Sequence, residues 1–369
     1  IWNKHKQTNT PLKRKVFVGM SGGVDSSVAA ALLRERGFDV RGVYMKNWVD
    51  PEWPCPWQEE RRDAMAVAAK LGIPFDTWDF SKEYYAAVTE YMIREYKDGR
   101  TPNPDVMCNR EIKFGVFLNR AVAEGADYIA TGHYVRIQNQ ESGIKLLAAK
   151  DENKDQSYFL WTLQQNELKR CLFPIGEYTK PEVRELARKF ELPTAEKKDS
   201  QGICFVGEIP VREFLKTKIP ERAGEIVTTD GRVIGSHSGV SYFTIGQRHG
   251  IGAPGGEKPL YVVKKDQEKN LLIVGSKNSK DLYTKEFFVK DISWVSGEEL
   301  CLPAGILIRT RYRAPIQHAR IEKRENRYQI ICETPERAVT PGQSVVFYIP
   351  EIQKKPMDTV EMIGGGIIV

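Results

Sequence analysis

The sequence predicts an α/β protein: an N-terminal domain on a parallel sheet, a small central domain and a C-terminal β-barrel. Three changes of texture predict it. From Lys15 to about His133, runs rich in branched and aromatic residues alternate with runs carrying apolar residues at helical spacing. Past about Phe205 the chain becomes rich in Gly, with short β-type runs. Past about residue 280, helical periodicity gives way to short alternating strands. The expected divisions are a basic tail 1–14, a first domain 15–206, a second 207–278 and a third 279–369.

In the first domain "KVFVGM", "VRGVYMK", "FDTWDF" and "DYIATGH" read as strands. Between them "SSVAAALLRERG", "QEERRDAMAVAAKLG", "KEYYAAVTEYMIREYKDG" and "REIKFGVFLNRAVAEG" read as helices, mostly stopped by Gly. Such alternation implies right-handed crossovers and a sheet covered on both faces. Ligands of these sheets lie at the carboxyl ends of the strands. In the second domain "GEIVTTDGRVIG" and "KPLYVVKKD" supply the β-runs. In the third, "EFFVKDISWV", "GILIRTRYR", "RYQIICE" and "QSVVFYI" do so.

Composition narrows the function classes. The 369 residues are 41% hydrophobic and 28% charged, ordinary for a globular chain with two or three cores. No apolar run approaches the ~20 residues of a membrane-spanning helix. The first fifteen residues hold five Lys and Arg and no acid, without a following apolar stretch, which reads as a tail and not a secretory signal. A net charge of +6 permits a nucleic-acid partner without demanding one. Cys55, Cys108, Cys171, Cys204, Cys301 and Cys332 are scattered, with no CxxC pair or Cys/His cluster. That argues against a zinc ribbon or disulfide framework and for a reducing compartment.

The chemistry concentrates in a few stretches. In "GMSGGVDSS", glycines after a strand turn the backbone so that N–H groups face an anion, and the following helix adds its positive end. A Walker loop would carry a lysine, which is missing here, and Asp25 stands in the cradle. A carboxylate beside phosphate is reasonable when Mg²⁺ lies between them. In "GRTPNPDVMCNREIKFG", two prolines fix a loop ahead of a helix. Cys108 there, near Arg110 and Lys113, is a candidate thiolate three residues after Asp105. In "KKDSQGICFVG", Cys204 follows a charged turn, and a structural role is about as good a reading as a functional one.

The loop resembles the SGGxDS signature of the ATP pyrophosphatase (PP-loop) superfamily. With "VYMKNW", "GRTPNPDVMCNREIKF", "IATGHY", "KDQSYFL", "DSQGICFV", "FTIGQRHG", "RYRAP" and "PGQSVVFY…GGGII" in that order, the chain resembles the tRNA-specific 2-thiouridylases from about residue 14 to 369. The segment "PEWPCPWQEERRD" and Phe243 in "FTIGQRHG" depart from the family pattern, and the first leaves the role of Cys55 open. The resemblance implies an adenine-nucleotide α-hydrolase-like first domain that binds ATP and Mg²⁺. It implies ATP contacts at Gly19, Met20, Ser21, Gly22, Gly23, Val24, Asp25 and Ser26, and at Met45 and Gly132, with Asp25 the metal partner. It also implies target-base contacts at Asn103, Pro104 and Asp105, a nucleophilic Cys108, and a persulfide carried by Cys204 that leaves a transient Cys108–Cys204 disulfide.

For partners, the resemblance implies the anticodon stem-loop of glutamate, glutamine and lysine tRNAs. The implied tRNA contacts are Lys154, Asp155, Gln156, Arg311 and Tyr312. It further implies an upstream sulfur carrier or cysteine desulfurase. Bacterial cytoplasm and mitochondrial matrix both suit the family, the short tail favouring the cytoplasm; the sequence does not give the oligomeric state, for which a monomer is the expectation. The stretch 309–327, with seven basic and two acidic residues, suits phosphate tracking. Rival readings are another PP-loop tRNA thiolase, an iron–sulfur-dependent variant, a ligase or amidating enzyme for a small metabolite, and a non-catalytic RNA-binding module. The intact SGGVDSS argues against the last.

Overall fold

The structure, a computed structural model, describes residues 13–53, 56–198, 211–251, 259–325, 327–350 and 360–369. The four strands read from the first domain are β1 (Lys15–Gly19), β2 (Asp39–Lys46), β3 (Phe75–Asp79) and β4 (Tyr128–Ala130). A hairpin of β5 (Arg136–Gln140) and β6 (Gly143–Leu147) follows, and then β7 (Cys171–Leu172). The sheet order β3-β2-β1-β4-β7 is parallel throughout, so the chain must cross over between strands. Val16, Phe17 and Val18 of β1 are all fully buried, as the central strand of a doubly covered sheet requires. Helix α1 (Val24–Glu35) presents a run of alanines, Ala29 to Ala31, whose small side chains let it lie close on the sheet. Helix α2 (Trp57–Leu71) covers the same face.

One helix starts earlier than the sequence suggested. The residues 104–123 are helical throughout, with a wide π-type stretch over Cys108–Val116. Asn103 accepts the Val106 N–H at 3.3 Å, and Pro104 takes the first helical position, where its missing N–H costs nothing. Cys108 therefore lies within the helix, not ahead of it.

The central region forms a four-stranded sheet, β8 (Gly224–Thr228), β9 (Val233–His237), β10 (Leu260–Asp266) and β11 (Leu271–Ser276), in the order β10-β11-β8-β9. The C-terminal strands are β12 (Tyr283–Trp294), β13 (Ala304–Arg309), β14 (Gln317–Arg324), β15 (Arg327–Arg337), β16 (Ser344–Pro350) and β17 (Val360–Ile368). They run antiparallel in the order β12-β15-β14-β13-β16-β17, and pairing of β12 with β17 closes the barrel. Closure removes the open edges that would invite aggregation. Ile306, Ile308, Ile321, Ile330, Val345 and Phe347 fill it.

Two of the joints between the barrel and the first domain are a strand pairing and a buried ion pair. The hairpin β5–β6 adds to β17, with Leu147 opposite Glu361 and Leu146 opposite Met362, and Lys145 pairs with Glu361 at 2.7 Å. The second joint is polar and dry. Asp155, 3% exposed, accepts from the Ala149 and Ser157 N–H groups and from the Ser157 hydroxyl, and pairs with Arg309 at 3.0 Å. A buried carboxylate so fully partnered escapes the penalty of an isolated charge.

Candidate active site

The glycine loop leaves the carboxyl end of β1, where a parallel sheet positions its ligands. Met20 and Val24 point into the core and offer a ligand only their backbone. Gly22 has φ +76°, and a Cβ there would meet the Glu60 carbonyl of α2 at 2.2 Å, so no other residue fits that turn. Gly23 caps α1 without a side chain, and the Ser26 and Ser27 hydroxyls turn back onto its carbonyl at 3.2 and 2.8 Å. Ser26 also accepts the Ser21 N–H at 3.2 Å. The first turn of α1 thus has no side-chain cap, a geometry that can take an anion. Met45, at the end of β2, lies against Gly19. At Gly132 a Cβ would stand 2.6 Å from the Ser26 nitrogen, so the "ATGHY" segment is in contact with the loop.

The cation missing from the loop comes from 155 residues downstream. The Lys180 ammonium donates to both carboxylate oxygens of Asp25, at 2.7 and 2.9 Å, and the Tyr134 hydroxyl donates to one of them at 2.8 Å. Each partner is held in turn. Lys180 opens the helix Lys180–Lys189, whose start is fixed by a reciprocal Thr179–Glu182 capping box, and its N–H donates to Asp151 at 2.8 Å. Gln156 accepts the Tyr134 N–H and donates its own N–H to the Tyr134 carbonyl, both at 2.9 Å. A hard carboxylate, an ammonium and helix N–H groups at one strand end are a donor set suited to Mg²⁺ and a polyphosphate together.

Beyond Gly132 the site continues. His133 is buried against Phe114 and Phe173, its Nδ1 2.8 Å from the Thr131 hydroxyl, and burial pushes its pKa well below the ordinary imidazole value, with Lys113 adding to the effect. Lys113 also acts on Asp105, opposing the burial that raises that carboxyl above the usual range. Three residues after Asp105, Cys108 is 2% exposed.

Cys204 lies outside the described residues, as does Cys55. The chain on both sides of 199–210 is tied to the stretch 50–63: Lys197 pairs with Asp63, and Lys218 pairs with the buried Asp50 at 2.7 Å. Among the residues read as tRNA contacts, Lys154 is half-buried and Asp155 and Gln156 make the internal bonds described above. One Arg311 nitrogen donates to the Ile245 and Ala338 carbonyls and to the Thr340 hydroxyl, at 2.7 to 2.8 Å, so this side chain ties the central domain to the barrel. Tyr312 packs against Phe159, with ring centroids 4.5 Å apart and the planes tilted by 48°. Among the described residues no three of His, Cys, Asp and Glu cluster as metal ligands, and no helix is long and apolar enough to cross a membrane.

Sequence reasoning missed Lys180 and Tyr134. The helix-start pattern "YTKPEV" was available, but nothing in it points to a loop 155 residues away.

Family models match three consecutive regions: a tRNA methyl transferase HUP domain over 14–208, a tRNA methyl transferase PRC-barrel domain over 212–276, and an aminomethyltransferase β-barrel domain over 284–368. A tRNA-specific 2-thiouridylase MnmA of Pseudomonas fluorescens is 49% identical over 96% of this chain and 94% of its own length. That of Pseudomonas entomophila is 48% identical over 97% and 95%. A solved 4-thiouridine synthetase–RNA complex with bound ATP aligns over 56% of this chain and 50% of that one, at 19% identity and a TM-score of 0.36, too slight a likeness to bear on the site. Matched at close to half identity over nearly its whole length, the chain belongs to the tRNA-specific 2-thiouridylase family, whose members are tRNA sulfurtransferases.

Proposed function

We propose that this chain thiolates the C2 position of the wobble uridine in glutamate, glutamine and lysine tRNAs, consuming ATP and releasing AMP and pyrophosphate. The observation that carries the reading is the contact of Gly132 with Ser26 and Asp25, because the next residue, His133, packs at 5.8 Å on Phe114 of the helix that bears Asp105 and Cys108. That adjacency supports reading the phosphate-holding loop and the thiol-bearing helix as parts of one site. Methyl transfer, the activity named in two of the family-model descriptions, has no use for such a loop.

The uracil C2 carbonyl is a poor electrophile and its oxygen a bad leaving group. The first task is therefore to bring that oxygen to the α-phosphate in line with the departing pyrophosphate. The α1 amides and Lys180 hold the phosphates. Mg²⁺ bound by Asp25 would neutralise the charge on pyrophosphate as it leaves. Asn103, Pro104 and Asp105 receive the base, which an unpaired anticodon loop can splay out at modest cost. Asp105, whose carboxyl burial raises above its ordinary range, exchanges a proton with the base or a thiol.

Sulfur comes from a persulfide on Cys204, loaded by an upstream carrier or desulfurase. Its terminal sulfur bonds to C2, and AMP leaves with the former carbonyl oxygen. The Cys108 thiolate then attacks the Cys204 sulfur, the S–S bond breaks, and its electron pair forms the thiocarbonyl. The resulting Cys108–Cys204 disulfide needs a two-electron reductant before the next turnover. The work divides among residues 15–206 for catalysis, 207–278 and 279–369 for tRNA, with Lys154, Arg311 and Tyr312 nearest the RNA, in a cytoplasmic monomer.

The test is mass spectrometry of the wobble nucleoside after incubation with tRNA, ATP–Mg and a persulfide donor. A mass gain of sulfur for oxygen at position 2, with equimolar AMP, is the expected result. Unmodified uridine with the wild-type chain defeats the proposal.

A further inference from the structure

Two sequence motifs without an assigned task meet at one residue of a third. "PGQS" belongs to the barrel, "FTIGQR" to the central domain, and both close on Thr101 of "GRTPNPD". The Gln343 amide donates to the Thr101 carbonyl at 2.9 Å and to the Pro102 carbonyl at 3.1 Å. The Thr101 N–H donates back to the Pro341 carbonyl at 2.9 Å, and the Thr101 and Thr244 hydroxyls lie 3.3 Å apart. Gly342, at φ +91°, lets the turn approach: a Cβ there would stand 2.9 Å from the Thr101 carbonyl oxygen.

The loop needs this help for a chemical reason. Pro102 and Pro104 have no N–H, so the segment 101–104 has few donors of its own and its carbonyls must find partners elsewhere. The two rings also stiffen it, so an anchor at Thr101 fixes the direction in which the chain leaves. The next residue, Asn103, caps the helix carrying Asp105 and Cys108. The Tyr158 hydroxyl donates to the Ser344 carbonyl at 2.9 Å, beside Gln343, and Asn103 partly offsets the burial that raises the pKa of that hydroxyl.

We propose that Gln343 is a positioning residue for the tRNA reaction: through Thr101 and Pro102 the barrel sets where Asn103, Asp105 and Cys108 meet the target base. This rests on the reading of 103–108 as the base-binding segment. The Gln343 amide supplies two N–H donors to two carbonyls. A glutamate of the same shape supplies none and faces both oxygens with negative charge, and a methionine supplies neither donor nor charge.

The test compares Gln343→Glu and Gln343→Met in the full chain. The measurements are single-turnover thiolation at saturating tRNA and ATP, the KM for each, the melting temperature, and hydrogen exchange in peptides covering 99–108 and 344–350. A rate lowered about tenfold or more, as a displaced reacting group produces, with KM values within about twofold, is expected, more severely for glutamate. Exchange should quicken in 99–108 while 344–350 stays protected. Should glutamate prevent folding, methionine decides alone. Wild-type rate with unchanged exchange overturns the inference, as does a rate loss that only follows loss of protection throughout the barrel. A wild-type chain that fails to thiolate tRNA would instead overturn the site reading, and this inference with it.

Discussion

Replacing Lys180 by methionine removes a charge from the nucleotide loop while keeping the length of the side chain. Lys180 and Asp25 are 12% and 32% exposed, and the ammonium contacts both carboxylate oxygens at under 3 Å. Two unit charges about 4 Å apart interact by about 4 kcal/mol at an effective dielectric near 20. In a half-open setting most of that is returned as desolvation, leaving about 1–2 kcal/mol of stability. Asp25 keeps the Tyr134 hydroxyl and access to water, so the fold should survive. The reaction should suffer more. A fixed charge facing developing negative charge contributes about 3–4 kcal/mol, on the order of a 10²–10³-fold loss of rate when it is removed. Pyrophosphate release in the presence of tRNA and ATP–Mg reads this directly, with denaturant unfolding run in parallel. Release within twofold of wild type would refute a phosphate role for Lys180. So would a loss of rate no larger than the loss of folded protein.

Cys204→Ser should abolish thiolation while tRNA affinity in a filter-binding assay stays unchanged; full activity with a persulfide donor would remove Cys204 from the mechanism. Burial raises the Asp105 carboxyl and Lys113 opposes it, so Lys113→Met should raise it further. The rate profile's acidic limb should then move to higher pH, and in Asp105→Asn it should disappear; a limb that stays put in both variants would assign it to another group. On stability the sign is opposite to that of a salt-bridged carboxylate. The folded value lies above the unfolded one, so the penalty of the buried charge is full above the folded pKa and fades as pH falls through it. Arg309→Met leaves the Asp155 carboxylate buried with one partner fewer, at a cost of about 3–5 kcal/mol. The double variant Arg309→Met with Asp155→Leu should recover part of that loss in denaturant unfolding, and no recovery would mean the pair is not what the joint depends on.

The parallel sheet was legible because its strands are short, branched and bounded by glycine, and because β1 runs straight into "GMSGGVDSS". The start of the helix bearing Cys108 was misplaced by six residues, since apolar periodicity begins only at Arg110 while the cap at Asn103 and the proline at the first position set the true start. Two barrel strands escaped notice. In β14 only Ala319 and Ile321 are buried, and β17 contains three consecutive glycines, so neither shows the alternation that marks a strand. The attachment of β6 to β17 could not be read at all, because register between distant segments is a property of the packed fold.

The site divides along the same line. Residues contributed by one contiguous loop, from Gly19 to Ser26, announce themselves because backbone chemistry demands glycine and serine at fixed spacing. Residues that complete it from afar do not. Lys180 looks like any lysine at the start of an amphipathic helix, and Gln343 like any polar residue in a turn, until folding brings one to Asp25 and the other to Thr101. The aspartate in the phosphate cradle is the case where the two kinds of information meet. On sequence alone, Asp25 demands a cation and the loop offers none. The fold answers with an ammonium from another helix, held by its own capping box and by Asp151. On the proposed reading, a nucleotide arriving with its metal would compete with Lys180 for Asp25 or draw the ammonium onto its phosphates. The second course would free the carboxylate to hold the metal while Lys180 supplies positive charge to the phosphates, the chemistry that cleavage between the α- and β-phosphates calls for.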